Sequence, residues 1–589
     1  MEYFVNSITD THTIVSSRLG GRGSFVVDES MRRTVTYLRL HHTMRRLAEK
    51  DEKRRSREIK MESFCCFNSY VTKIDDVRMS LAVNEDRISR SIRHILSNTN
   101  LETFLYGTLA VSSLLGPGMS MGYSAIALPL LKNSAEQPIL RENEATWFAS
   151  IAMISTPVGC IVSLFTMKAG RRAAISCSGI VCSVGWIIIA TSYTVTQLLF
   201  GRFVTGFATG LASTPACVYL AEISIPRYTA MLTTCSSLFI SIGIMLIYFL
   251  GFIIKDDWRM VAVASVIVPT LSAVLALAVM PESPRWLLTK GREEEARKSL
   301  LRLRSLEHET ANFRDEFDAL LRYNEPKYEI EMSSPDSTRL PTIECEKSGN
   351  KVSTKSYRLK NELRNDLGVS GRVKKFVKTL GLPEIWKPLV ILNAFFFFQQ
   401  FCGIYVLMAY AVDLLEKTGS ANDPYLITAV IGLVQIGGAF CLVLTSFRLG
   451  RRPVTLISGS GMTISLAGLG IYNQLFENTL FSQIPLTCIF VFVASGSFGF
   501  LALPWAMIGE LFPTRYVNVL GPTTTCLAGL YNFATVQIYP SLAEFGPIVM
   551  IYTYCAISLL ATLFVALVLP ETLGKTKEEI ERGFRNRSQ

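Results

Sequence analysis

Long apolar runs separated by short polar gaps dominate the chain from about residue 104 onward. The runs lie at about 104–129, 145–166, 173–192, 195–220, 231–254 and 260–280, and then, after a polar interval, at about 388–412, 424–446, 453–474, 483–509, 519–541 and 547–569. Each is long enough to cross a hydrocarbon core of about 30 Å as a helix, the one open-ended structure that satisfies its own backbone in lipid. The pattern predicts an all-α polytopic membrane protein of twelve transmembrane helices in two six-helix bundles. The expected segments are a polar tail (1–101), a first bundle (102–280), a central loop (281–387), a second bundle (388–569) and a short charged tail (570–589).

Composition supports membrane burial. Of 589 residues, 49% are hydrophobic and only 18% charged, where a soluble chain carries roughly 25%. The mean hydropathy is +0.31. The net charge of +11 does not suggest a nucleic-acid binder, because Lys and Arg fall in the gaps between apolar runs. Thirteen cysteines show no metal-ligand spacing, and with five histidines and no nucleophile–base pair the chain predicts neither an enzyme nor a cofactor or metal site. The opening MEYFVNSITDTHT has no signal-peptide pattern.

The distribution of charge predicts orientation. Lys168, Arg171 and Arg172 follow the second run, Arg227 the fourth, Arg448, Arg451 and Arg452 the eighth, and Arg515 the tenth. Basic loops stay in the cytosol, which places both termini and the central loop there; the expected location is the cell membrane. The sequon at Asn586 then faces the cytosol and stays unmodified. Arg45 to Lys60 is read as a solvated helix or a weak lipid-surface patch within a largely disordered cytoplasmic tail, and Glu362 to Leu380 as a cytoplasmic helix beneath the bundle.

The halves echo each other. MKAGRR (Met167 to Arg172) leaves the second run, and FRLGRR (Phe447 to Arg452) leaves the eighth, six runs later. That return marks a parallel duplication, the anatomy of a carrier that rocks about a central site.

Several segments are individually specific. They are GRFVTGFATG (Gly201 to Gly210), YLAEISIPR (Tyr219 to Arg227), PESPRWLL (Pro281 to Leu288), QQFCGIY (Gln399 to Tyr405), PWAMIGELFP (Pro504 to Pro513) and PETLGKTKEE (Pro570 to Glu579). Over about residues 100–580 the chain resembles the sugar porter family of the major facilitator superfamily, and within it the insect facilitated trehalose transporter-like group. The resemblance implies facilitative transport of a neutral carbohydrate, hexose or trehalose, by alternating access. A non-transporting sensor on the same fold, or a facilitator of another polyol, is the alternative. The expected partners are a small sugar and the lipid bilayer, with no nucleic acid and no obligate protein partner.

The resemblance also implies residue roles. Gln399, Gln400, Gln435, Trp505, Asn532 and Tyr405 stand where the family lines its sugar cavity. An amide suits this task, since it offers both donor and acceptor to hydroxyls. Arg171, Arg172, Glu222, Arg285, Arg448, Arg451, Arg452 and Glu510 match the cytoplasmic gating network, which in the family pins the two bundles together. Here Met167 and Phe447 replace the network's acids, Thr229 and Val517 its arginines, Ser237 the glutamine of the fifth helix, and Tyr405 an asparagine. No run carries an ionised group near its middle, and the first has no acid, which implies a neutral substrate moving without proton coupling.

Overall fold

Two prolines show how the sequence shapes its helices. A proline has no N–H, and its ring clashes with the carbonyl four residues earlier. Pro117 stands four residues after Ser113, and the first span breaks there into α1 (Asn98–Ser112) and α2 (Leu115–Asn133). Pro504 stands four residues after Phe500, and the tenth span divides there.

The structure, a computed structural model, describes residues 98–133, 138–224, 229–255, 257–324, 381–417, 423–446, 449–475, 483–513, 516–575 and 577–586. The charged stretches 45–60 and 362–380, with Arg227, Arg448, Phe447 and Arg515, lie outside the described residues.

The first half continues with α3 (Glu142–Thr166), α4 (Arg171–Ala190), α5 (Val195–Ile223), α6 (Thr229–Ile253) and α7 (Trp258–Val279). Three short helices follow, α8 (Pro284–Thr289), α9 (Glu293–Leu303) and α10 (Ala311–Asn324). The second half holds α11 (Pro383–Phe401), α12 (Ile404–Lys417), α13 (Pro424–Thr445) and α14 (Arg451–Leu475). It ends with α15 (Gln483–Ser495), α16 (Leu503–Leu511), α17 (Val517–Glu544), α18 (Pro547–Leu567) and α19 (Lys577–Asn586). A π-helical turn, Gly496–Phe500, joins α15 towards α16.

Among the described residues, eleven segments are both long and apolar enough to cross a membrane. The eleventh span of the sequence reading, α17, has 28 residues but is not among these eleven. Its Thr524, Thr525, Asn532 and Thr535 are buried, so the polar side chains face protein rather than lipid. Outward faces are apolar, as Ile267, Ile464 and Leu567 show. In a bilayer such exposure carries no hydrophobic penalty.

Packing repeats the duplication. In the first half α2 packs on α6, α5 on α3 and α4, and α4 on α7. In the second half α11 packs on α17, α15 and the π turn on α13 and α14, and α14 on α18. Span by span these are the same four pairings. The halves meet symmetrically too, with α3 along α17, α6 along α13, and α2 against α12.

The polar interval contributes a small layer of its own. Trp286, Leu300, Phe313 and Phe317 form a separate buried cluster across α8, α9 and α10. Arg304 ties this layer to the first half, donating to Thr103 Oγ1 at 2.8 Å and to the Ile223 carbonyl at 3.2 Å while pairing with Glu316 at 2.6 Å. The second half carries α19 in the same manner, through Arg585–Glu384 at 2.7 Å and Lys387 Nζ to the Phe584 carbonyl at 3.0 Å.

Candidate functional site

The seventh span brings the two glutamines into the protein interior. α11 ends at Phe401, Cys402 closes it, and Gly403 turns the chain at φ +92° into α12. A Cβ at Gly403 would lie 2.8 Å from the Tyr554 ring, so glycine is needed for both conformation and space. Gln399 and Gln400, in the last turn before this break, are fully buried.

Their amides have different surroundings. Gln399 Nε2 donates to the carbonyls of Phe500 at 3.2 Å and Leu501 at 2.6 Å, while its Oε1 accepts from Gln400 Nε2 at 3.4 Å. Gln400 Oε1 is buried without a partner. Tyr405 is set beside Trp505 and Gln400. Trp505 meets the edge of Phe396 at 4.7 Å between centroids. These five side chains form one cluster.

Gln435 and Asn532 stand on the two helices where the halves meet. Gln435, fully buried on α13, reaches across to α6, where its Nε2 donates to Ser241 Oγ at 3.4 Å. Asn532 is buried on α17 beside Tyr531, which meets Phe397 edge-on at 5.8 Å. Gln435 Oε1 and Asn532 Oδ1 are both buried without partners. An unsatisfied buried acceptor costs about 1–3 kcal/mol, which a hydroxyl donor entering the site would offset.

The arginine-bearing end contains a second feature, built twice. Arg171 grips Glu222 with two bonds, Nε at 3.0 Å and Nη2 at 2.7 Å, and Ser283 Oγ donates to the same carboxylate. Arg451 grips Glu510 likewise, Nη2 at 2.6 Å, with Thr572 Oγ1 donating to it at 2.6 Å. Glu282 accepts the Arg171 amide at 2.8 Å and caps α4, while Glu571 accepts the Arg451 amide at 2.8 Å and caps α14. Arg172 donates to the Leu277 carbonyl, and Arg452 to that of Ala566. Arg285 lies half-buried on α8, which begins two residues after Glu282.

The family's sequence model, described as "Sugar (and other) transporter", matches residues 108–343 and 344–584. This chain belongs to that transporter family. It is 29% identical over 487 residues to the "Facilitated trehalose transporter Tret1" of Apis mellifera ligustica, covering 82% of this chain and 88% of that one. It is 28% identical to the Tret1 of Drosophila virilis, of which it spans 47%. It is 27% identical to "Solute carrier family 2, facilitated glucose transporter member 8" of Mus musculus, covering 80% and 93%. Among solved structures, the proton:xylose symporter XylE bound to 6-bromo-6-deoxy-D-glucose superposes with a TM-score of 0.63 at 21% identity, covering 82% of this chain and all of that one. An inward-open XylE from E. coli gives 0.61 at 20% identity, covering 82% and 99%. These likenesses establish the major facilitator fold.

Among the described residues, the pairs Arg171–Glu222 and Arg451–Glu510 each close within one half, the first and the second respectively. That differs from the expected role of pinning one bundle to the other. Met167 lies in a 3-10 turn just before Arg171. Described contacts between the halves include Ser150 Oγ to Gln537 Oε1 at 2.8 Å, Tyr248 OH to the Met408 carbonyl at 3.0 Å, and the ion pair Lys255–Asp423.

Sequence reasoning missed Glu282 and Glu571 as caps, although each stands in a quoted Pro-Glu motif directly after a span. It also missed Ser241, which has no signature. Arg202, eighth of the 29 residues of α5, is wholly buried, donating to the Ser120 carbonyl at 2.8 Å and Ser124 Oγ at 2.6 Å. A cavity of about 540 Å³, lined by Arg172, Leu277, Glu282, Trp286 and Lys298, opens at the arginine-bearing end, away from the buried amides.

Proposed function

We propose that this protein moves a neutral carbohydrate, of hexose or trehalose size, down its gradient across a membrane by alternating access. The supporting observation is that the buried amide oxygens of Gln400, Gln435 and Asn532 lack partners, as does that of Asn393 about two turns earlier on α11. They lie on α11, α13 and α17, all in the second half, and α13 and α17 are among the helices that pack on the first. Hydroxyl groups match such acceptors, and Trp505 offers a flat face for a sugar ring. In this reading the first bundle (102–280) rocks against the second (388–569), with the arginine-bearing end in the cytosol, as loop charge suggests.

The surroundings of Arg202 favour transport without proton coupling. Its described partners are a carbonyl of Phe148, a carbonyl of Ser120 and the hydroxyl of Ser124, all neutral. Acidic residues of the spans, among them Glu142, Glu222, Asp413 and Glu510, stand within the terminal turns.

Reconstitution into liposomes with a labelled panel of hexoses, trehalose and polyols tests this reading. Downhill uptake of one sugar, unaffected by an imposed pH gradient, is the expected result. Tight binding without flux favours the sensor reading, to which the absent acids at Met167 and Phe447 also point. Accumulation driven by a pH gradient overturns the uniport.

A further inference from the structure

We infer that Asn393 and Thr524 form a second sugar-ring subsite two helical turns from Gln400, and that the substrate is therefore a disaccharide rather than a single hexose. This inference rests on the carbohydrate-carrier reading and names the substrate class within it. Among the described residues, four side-chain amide oxygens are buried without a partner. Three belong to Gln400, Gln435 and Asn532, and the fourth is Oδ1 of Asn393. The Asn393 nitrogen is occupied, since Nδ2 donates to the Leu389 carbonyl at 2.7 Å, and that bond fixes which end of the amide is the oxygen. A buried acceptor left in this state is costly until a donor reaches it.

Spacing places this acceptor in line with the central amides. Asn393 precedes Gln400 by seven positions, so the two share one face of α11 and stand about 10.5 Å apart along its axis. On α17, Thr524 precedes Asn532 by eight positions, about 12 Å. Asn393 Nδ2 lies 3.5 Å from Thr524 Oγ1, which joins the two helices as a rung at this level. Thr524 is fully buried, and its hydroxyl accepts in that contact, leaving its own hydrogen to give. The rung thus offers one acceptor and one donor, the complement of a sugar hydroxyl.

An aromatic surface separates the two levels. Phe396 follows Asn393 by three positions and precedes Gln400 by four, and its ring meets Trp505 edge-on at 4.7 Å. Asn393 and Trp505 keep partial exposure, whereas Gln400 and Gln435 are buried. The rung lies towards the arginine-bearing end, where α11 starts beside α19. Two turns of helix exceed the reach of one hexose and match two linked rings. One ring then meets Gln400 and Asn532, and the other meets Asn393 and Thr524.

Initial rates and competition binding in liposomes, with trehalose and glucose as probes, test the subsite. The parent is expected to bind trehalose more tightly than glucose. Asn393→Leu, close to isosteric, should weaken trehalose about ten-fold and leave glucose within two-fold. Thr524→Val should act in the same direction by a smaller factor, and it decides the matter by the same ratio if Asn393→Leu does not fold. Equal losses for both sugars, or no loss for either, overturn the subsite, as does a parent that prefers glucose. Unchanged selectivity with intact transport removes the subsite alone. A parent that neither binds nor moves any sugar of the panel removes the carrier reading and the subsite with it.

Discussion

Lys255, just beyond α6, and Asp423, the N-cap of α13, form an ion pair that joins the two halves at the end opposite the arginines. The carboxylate has two tasks, since it also accepts the Tyr425 amide at 3.0 Å and starts the helix. The hydrogen bond from Lys255 holds the Asp423 carboxyl below its ordinary value. The pair therefore biases the carrier towards a state closed at this end, and partial exposure limits its worth to roughly 0.2–1 kcal/mol.

Asp423→Asn keeps an acceptor for the cap and removes the charge. The expected result is a longer mean distance between genetically encoded spin labels at positions 253 and 426, with a smaller change in the parent at high salt. Because the folded pKa is lowered, the contribution is complete above about pH 3.9, the value for a free aspartate, and disappears as pH falls through the folded value. Distances in the parent should thus stay constant from neutral pH down to mild acid. Identical distributions in parent and variant would remove the pair from the account.

Glu282 and Glu571 predict matched losses in the two halves. Each carboxylate accepts backbone amides at the start of a span, a charge-assisted cap at the positive end of a helix. Glu282→Gln and Glu571→Gln should each lower stability by about 1–2 kcal/mol, read from thermal unfolding. Gly170→Ala should cost more than either. Its φ is +130°, and a Cβ there would sit 2.4 Å from a Glu282 oxygen. A harmless Gly170→Ala would contradict this geometry.

Arg202 allows a gain-of-function test. Ser124 Oγ lies 2.6 Å from its guanidinium, so Ser124→Asp would set a titratable carboxylate beside a buried cation. Sugar uptake by the parent should be level between about pH 5 and 8, whereas the variant's uptake should depend on pH or on a pH gradient. A variant as insensitive as the parent would show that neutrality at this position does not determine coupling.

The spans were legible because a run of about twenty apolar residues outweighs any local exception. Only α17 departs in character. Its buried threonines and Asn532 lower its hydropathy while serving the interior, a distinction composition cannot make. The duplicated Gly-Arg-Arg exits were legible as a repeat, but Glu282 and Glu571 became caps only once the chain folded back on itself. The same holds for Gln399, since an amide in an apolar run must be satisfied, yet sequence does not say whether a sugar or a broken helix satisfies it. Lys255 and Asp423 are 168 positions apart, and no local pattern links them.

Tyr405 carries the prediction on specificity. Its ring is buried beside Trp505 and Gln400, at a position where the resembling family has an asparagine. The phenol fills space that a smaller amide would leave to substrate. Tyr405→Asn should therefore raise uptake of trehalose relative to a hexose, measured as the ratio of initial rates in the same liposomes. Loss of the ring also removes a contact from Trp505, so a modest drop in the absolute rate is expected with the altered ratio. An unchanged ratio would mean that this ring lies outside the path the sugar takes, and that the narrow point of the cavity is elsewhere.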